Sequence, residues 1–201
     1  MTVRDARLAT LFLRSRQTGP ISIALAAVAI AAGLGLAASN SDDLNRFLRM
    51  VVPLAVAVVI GAGAGSPFGE AERSASRPLP PVRFGHLVLL LATGAALLAL
   101  ANVAPADGDL GILLRNSAGF VGLSLIGARL LGSGTFWMVP LAYAGAVLAD
   151  FLVKPDRDAS WRWPLQSADD GTSVLITVVL LVAGVAAVAW FGSRDTAEAT
   201  V

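Results

Sequence analysis

Five runs in this chain, 17–41, 50–69, 84–106, 130–149 and 171–193, each hold twenty or more residues without Asp, Glu, Lys or Arg. An α-helix rises about 1.5 Å per residue and a bilayer hydrocarbon core is about 30 Å thick, so about 20 such residues cross it. Each run is therefore a membrane-span candidate. A sixth apolar stretch, Leu110–Gly132, carries Arg115 and Arg129 inside its limits. They stand 14 positions apart, about 21 Å along a helix, so both side chains can snorkel to opposite interfaces. The competing reading is that Arg115 and Asn116 face a polar transport path, because ionisable groups at membrane depth are functional candidates. The pattern predicts spans over about 19–38, 47–65, 87–103, 110–132, 135–151 and 172–191. Pro140 is expected to kink the fifth, and Gly61 and Gly65 give the second a small-residue face that another helix can approach.

The polar interruptions predict further elements. In residues 1–16, Thr2 and Asp5 have capping-box spacing, and Leu8, Ala9, Phe12 and Leu13 share a helical face opposite Arg4, Arg7 and Arg14. This reads as an interfacial helix, or as a basic flank that only orients the first span. Between spans 2 and 3, Ser66 is placed as an N-cap and Pro67 as a first-turn residue. Glu70 and Glu72 follow early and Arg73 and Arg77 late, which suits the helix dipole and predicts a short helix over 67–76. Pro78, Pro80 and Pro81 predict an extended return to the membrane. Between spans 5 and 6, Trp161 and Trp163 are expected to anchor the loop at a headgroup layer, as a plain loop or a re-entrant element.

Composition agrees with the pattern. Of 201 residues, 56% are hydrophobic and 14% charged, and the mean hydropathy is +0.72. Soluble domains carry about 25% charged residues, so the fold class is an all-α membrane protein of one domain, residues 1–201. Charge distribution orients it. With the N-terminus inside, nine Arg fall on inner segments and six Arg or Lys on outer ones, and four Arg precede the first span. The expectation is N-in and C-in.

Little in the chain could do chemistry. There is no Cys, and His86 is the single His, with no GxSxG partner motif. These counts exclude a thiolate metal site or Cys nucleophile and leave no all-protein zinc site. No Walker A motif occurs. Asp150 lies at the end of span 5, and Asp169-Asp170 reads as a solvated loop end. The chain is expected to have no enzymatic activity, cofactor or nucleic-acid partner.

The order of elements is an N-terminal interfacial helix, two spans, a helical inner loop, three spans, an aromatic outer loop and a last span. It resembles the six-span membrane subunit of ABC-2 type exporters. Gly69-Glu70-Ala71-Glu72-Arg73, Arg77-Pro78-Leu79-Pro80 and Leu114-Arg115-Asn116 are similar to segments of small actinobacterial membrane proteins associated with ABC systems. The resemblance implies a permease subunit in a bacterial plasma membrane, in contact with lipid and paired with a second copy or another permease subunit. It implies a separate cytoplasmic ATPase docking on Glu70, Glu72, Arg73, Arg77 and Arg83, and an external element at 159–165. The alternative from the residues alone is a membrane scaffold or accessory subunit that recruits a soluble protein through the same loop.

Overall fold

Six helices and one 3-10 segment make up the described part of the chain. The computed structural model describes residues 18–39, 41–65, 80–103, 110–155, 157 and 159–193. The helices are α1 Thr18–Ala38, α2 Asp42–Gly63, α3 Pro80–Ala101, α4 Leu110–Leu130, α5 Met138–Val153 and α6 Gly171–Phe191. The 3-10 segment, Ser160–Leu165, lies between α5 and α6. No strand occurs among the described residues. Five helices are long and apolar enough to cross a membrane. The sixth, α5, has 16 residues and measures about 24 Å. These are the features of a helical, multi-pass membrane protein.

Local chemistry sets several helix ends. Ser41 caps α2, its hydroxyl accepting from Leu44 N at 3.3 Å, and Asp42 and Asp43 occupy the positive end of the helix dipole. Helix α3 starts at Pro80, so Pro80 and Pro81 are first-turn helical residues and not the extended return that the sequence suggested. A proline there loses nothing, because the first N–H groups of a helix have no partner within it. The same logic places Pro140 in the first turn of α5, where it does not kink the helix.

The arrangement puts α4 at the centre. It has the lowest mean hydropathy of the five long helices and the largest share of its span buried, 61% against 22% for α1 and α6. The two facts belong together: a helix facing lipid must be apolar, whereas one enclosed by other helices can carry polar groups that meet protein partners. Leu113, Phe120, Val121 and Leu125 of α4 are buried alongside Asn116 and Ser124.

Glycines let the neighbours close in. A Cβ on Gly122 would lie 2.6 Å from Leu181 N, and one on Gly184 would lie 2.6 Å from Gly122 O, so α4 and α6 cross backbone to backbone. At Gly61, the glycine singled out in α2, a Cβ would meet the Phe136 ring at 2.6 Å and Ser124 Cβ of α4 at 3.0 Å. That face is used for packing, with Phe136 wedged into it. Gly65 meets Ser133 Cβ at 3.4 Å by the same measure.

Candidate functional site

The two ends of the bundle carry different chemistry. At the first end lie the starts of α2, α4 and α6, the end of α5 and the 3-10 segment. The segment forms because Ala159 enters in extended conformation, Arg162 N donates to Ala159 O at 2.9 Å, and Pro164 removes an N–H and holds φ. Gln166 is extended again, so carbonyl groups around the exit have no helical donors.

Arg115 and Asn116 supply those donors. Arg115 Nη2 donates to Trp163 O at 2.9 Å and Gln166 O at 2.8 Å, and Nη1 donates to Ser167 O. Asn116 Oδ1 accepts from Arg115 Nη2 at 3.2 Å and from Nε at 3.3 Å. Asn116 Nδ2 donates to Pro164 O at 2.8 Å and to Arg49 O at 3.1 Å. Both side chains are buried. The planar guanidinium fork suits this work, since one cation reaches several acceptors at fixed angles. Within the chain, Arg115 spends its donors on backbone oxygens and on Asn116. It binds the 3-10 segment to α4, and Asn116 extends the brace to α2.

The aromatic residues reinforce the brace. Trp163 is fully buried, 5.2 Å from the Phe120 ring and 5.9 Å from Tyr143, stacked on the latter at 21°. Its ring occupies the space that a side chain at Gly119 would need. Trp163 is thus a core residue, not the headgroup anchor that its sequence context suggested. Tyr143 Oη donates to Trp161 O. Arg162 is buried as well, with Nε 2.9 Å from Asp150 Oδ2 in an ion pair not aligned as a hydrogen bond, and Nη2 donating to Lys154 O at 2.8 Å. Asp150 Oδ1 lies 3.4 Å from Arg157 Nη1.

Asp170 caps α6, accepting from Ser173 N at 2.8 Å and from the Ser173 hydroxyl. These hydrogen bonds, chiefly that of the hydroxyl, hold its carboxyl below the usual carboxylate range, with the nearby Arg115 charge a smaller contribution. The Asp169-Asp170 pair is a helix start.

At the opposite end, His86 Nε2 donates to Gly63 O at 3.2 Å, joining α3 to the end of α2. Arg83 lies on α3 with its guanidinium against Gly192, 3.1 Å from where a Cβ would sit, beside the end of α6. Gly192 has φ 72°, a left-handed conformation that ends the helix. Arg129 lies over the Phe191 ring at 5.5 Å. Of the residues expected to dock a partner, Arg83 is placed here. Glu70, Glu72, Arg73 and Arg77, with the helix over 67–76 and the N-terminal one over 1–16, lie outside the described residues.

Sequence reasoning missed the acceptors. Trp163, Pro164, Gln166 and Ser167 take part through backbone oxygens, which carry no residue signature. The chain matches no protein-family model, no curated protein and no solved structure.

Proposed function

We propose that the chain is a six-span, N-in and C-in permease subunit of an ATP-driven exporter in a bacterial plasma membrane, coupled to a separate cytoplasmic ATPase through the 67–76 loop. The observation that carries this reading is the separation of the two polar connections. The 3-10 segment is held at one end of the bundle by Arg115 and Asn116. The connection from Gly65 to Pro80 leaves and returns at the other, where His86 meets Gly63 O. Four Arg before α1 favour the loop end as the cytoplasmic one. Because Arg115 and Asn116 bond to the backbone of their own chain, the translocation path in this reading runs between two copies or between this chain and another permease subunit.

Co-purification tests the reading. The full chain is expected to retain a cytoplasmic ATPase, and reversal of Arg73 and Arg77 to Glu to abolish that retention; unchanged association counts against it. Reporter fusions at Ser76 and Ala159 should report opposite sides of the membrane.

A second reading, an accessory or scaffold subunit, draws on the same brace: the most polar residues of α4 are used to stiffen the bundle. ATP-dependent export from proteoliposomes containing the chain and its ATPase separates the two.

A further inference from the structure

Beside the brace, a cleft runs between the start of α2, the end of α5 and the 3-10 segment. Its polar compartment, about 310 Å³, is lined by Arg46, Arg157, Arg162 and Gln166. An apolar compartment of about 450 Å³ continues from it along Phe47, Met50, Leu148 and Leu152. The two share Arg46, Phe151, Pro155 and Leu165, so they form one amphipathic cleft.

We propose that this cleft binds one anionic phospholipid, with its phosphodiester at Arg46 and Arg157 and an acyl chain in the apolar compartment. The charged side chains lining the cleft, among the described residues, are the guanidinium groups of Arg46, Arg157 and Arg162 and the carboxylate of Asp43, and Asp150 pairs with Arg162. Arg162 and Asp150 neutralise each other at 2.9 Å, and Arg157 reaches Asp150 with one nitrogen while remaining half exposed. Arg46 is exposed and forms no ion pair among the described residues. Arg46 therefore offers its guanidinium to one phosphodiester. Guanidinium groups match phosphate oxygens in geometry as well as charge. The apolar compartment explains why the ligand is a lipid: a soluble phosphate would leave it empty, whereas Phe47 and Leu152 open it sideways to the acyl layer. The inference rests on membrane embedding alone, not on an ATPase partner.

The test is native mass spectrometry of the full chain in neutral detergent, titrated with phosphatidylglycerol or phosphatidylcholine of identical acyl chains. Phosphatidylglycerol is expected to bind on the order of fivefold to tenfold tighter, the effect of one charge-assisted contact near a surface. Arg46→Glu should remove the preference while leaving the melting temperature in lipid-free micelles unchanged, because Arg46 is exposed. Arg129→Gln, at the other end of the bundle, should leave the preference intact. Leu148→Trp, filling the apolar compartment, should weaken both lipids. Equal binding of the two lipids would overturn the proposal. So would a preference that survives Arg46→Glu or is lost with Arg129→Gln. Competition by glycerophosphoglycerol as effective as that of the whole lipid would show an anion site without an acyl site and overturn it too.

Discussion

Asn116 supplies the hydrogen bond that Pro53 withholds. In an α-helix the carbonyl of Arg49 accepts from the N–H four positions on, and that position in α2 is Pro53, which has none. Asn116 Nδ2 reaches across from α4 to this oxygen at 3.1 Å. A carbonyl freed inside an apolar bundle has no water to turn to, so a neighbouring side chain must satisfy it. The proline interruption of one helix and the buried amide of the next are two halves of one arrangement.

Their coupling can be measured. Asn116→Leu leaves the carbonyls of Arg49 and Pro164 without this donor and is expected to cost about 1–3 kcal/mol. In a Pro53→Ala background the restored N–H satisfies Arg49, and the same substitution should cost less by about 0.5–1 kcal/mol. Unfolding in mixed micelles, followed by circular dichroism, gives all four corners of the cycle. Equal costs in both backgrounds would show that the two residues act separately.

Arg115 predicts a local effect. Arg115→Lys keeps the charge but not the fork, and Arg115→Gln keeps neither. Both should release the 3-10 segment while the helices stay folded. Trypsin cleavage after Arg162, which is buried in the native chain, should accelerate about tenfold, corresponding to some 1.4 kcal/mol lost from local opening. An unchanged rate at that bond would remove the bracing role.

Two glycines should separate close packing from helix propensity. Gly122→Ala forces a methyl group against the Leu180–Leu181 backbone, which cannot rotate away, and is expected to cost about 1–3 kcal/mol. Gly145→Ala, with nothing within 4 Å of its Cβ, should be neutral or stabilising by about 0.5–1 kcal/mol. Comparable losses at both sites would mean that the α4–α6 crossing is not the tight one.

Asp170 sets a pH dependence. Its folded-state pKa lies below the unfolded value, so its cap stabilises the chain above the ordinary carboxylate range. The contribution falls away as acid takes the pH down through the lowered pKa. Wild type should melt above Asp170→Ala at neutral pH, and the gap should close in strong acid. A gap independent of pH would assign the capping to something other than the ionised carboxylate.

Much of the fold was legible because lipid demands it. Each uncharged run holds most of a helix, since a continuous helix satisfies the backbone in hydrocarbon, but α2 and α3 start five and seven residues before the expected spans and α5 three after. The start of α3 strayed because Pro80 was read only as a breaker, and Pro140, read as a kink, lies in the first turn of α5. The brace was half legible. Pro53 inside a long apolar helix announces an orphaned carbonyl, and Asn116 was a ready donor. The guanidinium of Arg115 was harder to place, because its acceptors are main-chain oxygens 48 to 52 positions away that any residue could provide. Trp163 misled for a related reason: tryptophan beside arginine is typical of a headgroup belt, and nothing local indicated that Gly119 had vacated a slot for it.

The separation in sequence between Arg115 and the carbonyls it grips also has a meaning during biosynthesis. Trp163 is made 48 residues after Arg115, roughly 2–10 s later at ordinary elongation rates. Through that interval the Arg115 guanidinium has no carbonyl ligands from the 3-10 segment. The brace therefore closes only once residues 163–167 have been translated, after every described helix but α6.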